Sequence, residues 1–117
     1  METVLRGVGA SIGRVKGSVK VIKTMEDFSK FETGDIICTV MTDPSMTPII
    51  MRAAGIITDI GGICSHASIV SREVGIPCVV ATENASTILY DGDIVEIDGE
   101  LGEVYLIKRG KNENSEK

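Results

Sequence analysis

His66 is the only histidine in a chain of 117 residues, and it sits where an imidazole could act as a nucleophile. Its surroundings read Thr58-Asp59-Ile60-Gly61-Gly62-Ile63-Cys64-Ser65-His66-Ala67-Ser68. A glycine loop lets backbone approach an anion closely, and a helix that starts after it offers N–H groups with no internal acceptor. A helix N-terminus carries about half a positive charge. That field disfavours imidazolium, so it is expected to keep His66 neutral and nucleophilic near neutral pH. The same field would stabilise a phosphoryl dianion once attached, so attack and storage favour one environment. Ser65, Ser68 and Thr58 can add hydroxyl donors, and Gly61 and Gly62 can admit the phosphate.

Other chemistries fit these residues less well. His66 could simply cap the helix. A zinc site from Cys64 and His66 lacks further ligands at a suitable spacing, since structural zinc takes four. A Ser-His-Asp triad is disfavoured because Ser65 and His66 are adjacent and diverge on a helix. A redox role for Cys64 lacks a second cysteine close in sequence. Cys38 and Cys78 lie inside apolar runs and read as small buried hydrophobes, reduced in a reducing compartment.

The elements that must position His66 follow from the apolar pattern. Ile36–Val40, Gly55–Asp59 and Cys78–Ala81 are near-continuous apolar runs, the pattern of strands covered on both faces. Between them, Thr42-Asp43-Pro44 starts a helix that runs through Met46, Ile49, Ile50 and Ala53, with Gly55 closing it. A second helix spans Ser65–Val74 and stops at Gly75, and Pro77 prevents its continuation. The middle of the chain therefore predicts β-α-β-α-β and a parallel sheet with helices packed on it. Residues 24–34 hold a short polar helical turn. The ends read as antiparallel β: residues 4–11 and 13–22 as two glycine-bent strands, and 94–98 with 103–107 as a hairpin.

Bulk properties set limits. The length fits one domain, here residues 1–107, with a polar and flexible tail over 108–117. A net charge of -5 and only four aromatic residues exclude a nucleic-acid surface. No apolar run approaches the about 18 residues of a membrane span, and the N-terminus has no apolar signal core, so a cytoplasmic protein is expected.

The stretch Gly61-Gly62-Ile63-Cys64-Ser65-His66-Ala67-Ser68-Ile69-Val70-Ser71-Arg72-Glu73-Val74-Gly75-Ile76-Pro77, followed by an apolar strand, resembles the phosphohistidine signature of phosphoenolpyruvate-utilising enzymes. That family includes phosphoenolpyruvate synthase, pyruvate phosphate dikinase and Enzyme I of the sugar phosphotransferase system. Gly7 to Gly13, Gly34 to Ile37 with Thr42-Asp43-Pro44, Ala53 to Asp59, and Asp91 to Val104 also resemble the family's segments, so the likeness covers nearly the whole chain.

The resemblance implies an α/β swivelling domain of three β/β/α layers, with a central parallel sheet and an additional antiparallel β layer. It implies that His66 is transiently phosphorylated, with Gly61, Gly62, Ser65, Ser68, Thr58 and Arg72 around the phosphate and no metal. Arg72 follows His66 by six helical steps, about 120° around the axis, so a pairing with Glu73 or a partner competes with phosphate contact. The family usually carries Thr where Cys64 stands, which puts control by phosphorylation of that threonine in doubt.

No cofactor is implied in this domain. ATP and Mg2+ belong to its partners: a nucleotide-binding (ATP-grasp-like) component and a phosphoenolpyruvate/pyruvate-binding barrel. A barrel alone needs about 250 residues, and no G-x-x-x-x-G-K-[ST] loop is present. The chain is thus expected to relay phosphoryl groups between partners supplied in trans without completing a turnover alone. The alternative is a non-catalytic interaction or regulatory module that keeps the fold. Met1 and the polar tail favour a protein in its own right over an excised piece of an enzyme.

Overall fold

The computed structural model describes residues 2–110. The chain folds as mixed α/β, with few helices and one eight-stranded sheet. The strands are β1 (Glu2–Arg6), β2 (Val8–Ser11), β3 (Arg14–Val21), β4 (Ile36–Thr39), β5 (Gly55–Thr58), β6 (Cys78–Val80), β7 (Ile94–Asp98) and β8 (Glu103–Lys108). Their order across the sheet is β1-β8-β7-β3-β4-β5-β6-β2. The three helices are α1 (Thr47–Ile50), α2 (His66–Val74) and α3 (Ala85–Ile88). Two 3-10 turns precede α1, at Met25–Lys30 and Pro44–Met46.

Strands β3, β4, β5 and β6 pair in parallel. Strands β1, β8, β7 and β3 pair antiparallel, and β2 lies antiparallel to β6. The long β3 belongs to both halves: its first residues pair with β7 and its last with β4.

Every residue of β4, β5 and β6 is buried. Because side chains alternate across a strand, one apolar run feeds two cores. Ile36, Cys38, Ile57 and Val79 join Leu5, Val95, Ile97 and Val104 of the antiparallel half. Ile37, Ile56, Cys78 and Val80 join Ile49, Ile50, Met46 and Ala67 of the helical side.

The structure alters four expectations. The N-terminal segment forms three strands, because the chain breaks at Gly7, and β1 and β2 lie at opposite ends of the sheet order. The first helix ends at Ile50, and Gly55 begins β5 instead of closing that helix; a side chain at Gly55 would overlap Ile97. The short α3 carried no apolar period in the sequence. Finally, Lys108 belongs to β8, while Arg109 and the Gly110 amide are held by the buried Asp93 carboxylate at 2.7 and 2.8 Å. The rest of the expected tail, 111–117, lies outside the described residues.

Among the described residues, no helix is long and apolar enough to cross a membrane. All three cysteines are free. Burial pushes the Cys78 thiol up from 9.0 to about 11 and the Cys38 thiol higher still. Cys64 is exposed. Brief treatment of the folded protein with iodoacetamide near pH 8 is therefore expected to alkylate Cys64 alone. Modification of Cys38 or Cys78 without denaturant would contradict this packing. The raised value of Cys78 contributes stability that is whole below pH 9.0 and is lost as the pH climbs through about 11.

Candidate functional site

Parallel strands end together, so the loops that leave their carboxyl ends share one crevice. Here the pairing of β4 with β5 continues past both strands: Asp59 N donates to Thr39 O at 3.0 Å and Ile60 N to Val40 O at 3.1 Å. These bonds bring the segment after β4 beside the glycine loop after β5. Asp43 starts the following helical turn, its carboxylate accepting from the Ser45 amide at 2.8 Å with Pro44 in the first helical position. The Ser45 hydroxyl and amide hold the Asp43 carboxyl below its ordinary value, and His66 adds a smaller effect in the same direction.

The glycine loop turns at Gly61, whose φ is +134. A side chain there would be strained and would press on Ser65. Nothing lies within 4 Å of a side chain placed at Gly62, so the loop is open at that point. Ser65 then caps α2, its hydroxyl accepting from the Ser68 amide at 3.4 Å. After the nine residues of α2, Gly75, with φ +86, ends the helix. Both ends of α2 match the sequence reading.

His66 is the first residue of α2 and is half-buried. Its Nδ1 lies 2.8 Å from the hydroxyl of Thr42. Thr42 is 4% exposed, so this hydroxyl is presented to the imidazole and not to solvent. Nε2 makes no hydrogen bond among the described residues. The amides of His66 and Ala67, in the first turn, have no intrahelical acceptor.

Not every predicted residue joins this arrangement. Gly61, Gly62, Ser65 and His66 gather at the crevice. Thr58 is fully buried and its hydroxyl donates to Ile60 O at 2.8 Å, so it braces the loop from beneath. Ser68 is fully buried as well, donating to Gly62 O. Arg72 does not pair with Glu73: its guanidinium donates to Ala10 O at 2.8 Å and Ile63 O at 2.7 Å. Asp59 accepts from the Ser86 amide at 2.8 Å and from its hydroxyl, and so ties α3 to the loop.

The Ser65 hydroxyl meets Ser68 and not the imidazole. Among the described residues, no group of three or more His, Cys, Asp or Glu side chains is placed to hold a metal ion.

Thr42 is the contact that sequence reasoning missed. It is 24 positions from His66, and Thr42-Asp43-Pro44 was legible as a helix start and as a stretch resembling the family's, but not as a partner of the imidazole. The available signal was positional: that segment leaves the carboxyl end of the strand next to the one that carries the glycine loop. Thr42→Val, which keeps the shape and removes the hydroxyl, is expected to slow any phosphoryl transfer to His66 roughly 10 to 100-fold, by analogy with the cost of removing the partner that orients a metal-bound imidazole. Thr42→Ser should recover most of the rate. Pseudo-first-order labelling with phosphoramidate measures both, and an unchanged rate in Thr42→Val would contradict the assignment.

Comparison with known proteins points to one family. A family model described as PEP-utilising enzyme, mobile domain, matches residues 31–102. The chain is 52% identical over 104 residues to a probable phosphoenolpyruvate synthase of Methanothermobacter thermautotrophicus, covering 89% of this chain and 15% of that protein. It is 51% identical over 104 residues to the phosphoenolpyruvate synthase of Pyrococcus furiosus, covering 89% and 13%. It therefore spans only about a seventh of the length of these relatives.

Among solved structures, the Enzyme I (nEIt) protein superposes with a TM-score of 0.58 at 32% identity, covering 67% of this chain and 32% of that one. The aconitase X of Thermococcus kodakaraensis shares the fold, with a TM-score of 0.66 at 16% identity over 89% of this chain and 98% of that one. With the signature, the fold and the matched model in agreement, this chain belongs to the mobile-domain family of PEP-utilising enzymes.

Proposed function

We propose that this chain is a phosphoryl carrier in which Nε2 of His66 accepts a phosphoryl group from one partner and gives it to another. The observation that carries the reading is the only imidazole of the chain, set at the first position of α2 with Nδ1 held by Thr42 and Nε2 free.

The step balances simply. The Nε2 lone pair forms an N–P bond as the donor's P–O bond breaks, and the donor oxygen leaves with the electron pair. A neutral imidazole that attacks through Nε2 carries its proton on Nδ1. The Thr42 hydroxyl accepts that N–H before transfer. Once the ring proton has left, the same hydroxyl can donate to the bare Nδ1. A carboxylate in that place could only accept, and a valine could do neither.

The two apolar cores on opposite faces of the parallel strands support the three-layer β/β/α reading, with the antiparallel strands as the outer layer. A body packed in this way can move between partners as one unit. The far greater length of the relatives supports a cycle shared with other components. We assign these as a nucleotide-binding component, which would bring ATP and Mg2+, and a phosphoenolpyruvate/pyruvate-binding component. Val40, Met41, Ile60 and Ile63 are exposed apolar residues on the two loops at the site, a composition suited to docking.

The test is chemical. The protein, incubated with phosphoramidate or with phosphoenolpyruvate and its partner component, should acquire one phosphoryl group. That group should be lost in acid and kept in alkali, and 15N-coupled phosphorus spectra should place it on Nε2. An acid-stable label, or one on a hydroxyl, would rule the reading out.

A further inference from the structure

Two side chains one turn apart on α2 hold two consecutive carbonyls of the glycine loop. Ser68 Oγ donates to Gly62 O at 2.5 Å, and Arg72 donates to Ile63 O at 2.7 Å. Residues four apart share a helix face, so these donors form a row beneath the loop. Ser68 is fully buried, and its hydroxyl has no solvent to turn to. The second arm of Arg72 reaches Ala10 O in β2 at 2.8 Å. The guanidinium thus joins helix, loop and sheet at one point.

These bonds fix more than the carbonyls. A trans peptide places its C=O and its N–H on opposite sides, and the described chain has no cis peptide. Holding the Gly62 carbonyl therefore aims the Ile63 N–H, and holding the Ile63 carbonyl aims the Cys64 N–H. Both N–H groups face away from the row on α2. Neither donates to another group among the described residues. Successive free N–H groups in a turn form a concavity that favours an anion, and donors fixed in advance need no reorganisation during the reaction.

We propose that Arg72 and Ser68 are positioning residues for phosphoryl transfer at His66: they lock the glycine loop so that the Ile63 and Cys64 amides serve the transferring phosphoryl, while Arg72 itself does not touch it. The proposal rests on the carrier reading. It assigns the arginine of the signature a mechanical role in place of the charge-pairing one that the sequence suggested.

Charge and clasp can be separated experimentally. Arg72→Lys keeps the charge, but one ammonium cannot span two carbonyls as the planar fork does. Nitrogen-15-labelled wild type, Arg72→Lys, Arg72→Ala and Ser68→Ala would be phosphorylated with phosphoramidate, and amide spectra recorded before and after. In the wild type, the Ile63 and Cys64 amide protons should move downfield on phosphorylation. Arg72→Lys and Arg72→Ala should both lose the Cys64 shift and label about tenfold more slowly, within the cost of a small misplacement of a positioned group.

Ser68→Ala removes one oxygen inside a folded helix; because the Ser65 amide still donates to Gly62 O at 3.0 Å, it should diminish the Ile63 shift while keeping that of Cys64. It carries the test should the Arg72 variants fail to fold. A full rate and both shifts in Arg72→Lys would overturn the proposal, as would unmoved amides in a wild type phosphorylated at His66. Failure to label wild-type His66 would instead overturn the carrier reading, and this proposal with it.

Discussion

His66→Ala is expected to abolish acid-labile phosphorylation completely while leaving the protein folded. The completeness follows from composition: the chain holds no second imidazole to take up the group. The intact fold follows from the surroundings. His66 is half-buried, and the hydrogen bond its ring makes is to Thr42. Alanine is the best helix former, and the Ser65 cap and the Gly75 terminator of α2 remain. Removing one partly exposed side chain in such a place costs within about 1 kcal/mol. Phosphorus spectra after phosphoramidate treatment, together with a urea unfolding curve, check both halves. Residual acid-labile label in the variant would place the chemistry elsewhere, and a collapsed unfolding midpoint would mean that the imidazole is structural.

Gly99→Ala should do the reverse, destabilising the fold while leaving every side chain of the site in place. Gly99 follows β7, and its amide donates to Gly13 O at 2.8 Å. A Cβ there would overlap the carbonyl of Ser11 and come within 3.2 Å of Cys78 N. Both are backbone atoms, so no rotamer change relieves the clash. The same place is tight from the other side: a Cβ on Gly9 would overlap Gly99 O, and one on Gly102, whose φ is +75, would meet Gly7 O. The β7–β8 turn therefore packs backbone to backbone against β2. Overpacking costs about 1–3 kcal/mol where side chains can yield, and here about 3–5 kcal/mol is expected, a large fraction of the stability of a domain this size. The midpoint in urea at constant slope measures it. A midpoint within error of the wild type would show that the turn and β2 can separate freely. The loss should be felt at the site too, because the Ala10 carbonyl that anchors Arg72 lies in β2.

How much of this was legible in the sequence depended on how local the cause was. Helix α2 was legible because Ser65, Gly75 and Pro77 are signals within or beside the element. Strands β4, β5 and β6 were legible because burial on both faces leaves an unbroken apolar run. The hairpin of β7 and β8 was legible from its turn. What escaped depends on partners distant in the chain. Gly55 looked like a helix terminator, but it is small because Ile97 packs against it. Thr58 looked like a phosphate donor, but its place on the last step of β5 turns the hydroxyl back to Ile60. The N-terminal glycines marked bends, yet nothing near them says that β1 pairs with β8 and β2 with β6. At the site, the structure brings the histidine, its loop and its helix together as the sequence grouped them, while Thr42 needed the register of β4 against β5.

The commitment of Arg72 to two carbonyls also bears on the energy of the cargo. In the proposed cycle, a phosphoryl group on His66 would be held by neutral amides and a helix end, with the nearest arginine of the signature engaged elsewhere. A resident guanidinium would deepen the well in which the group sits, and each 1.4 kcal/mol of depth is about a tenfold slower departure. A relay runs in both directions only if its middle station is neither a summit nor a trap. By keeping its cation out of the grip, this chain would hold the group loosely enough for the next protein to take it, and leave each partner to lower the barrier on its own side.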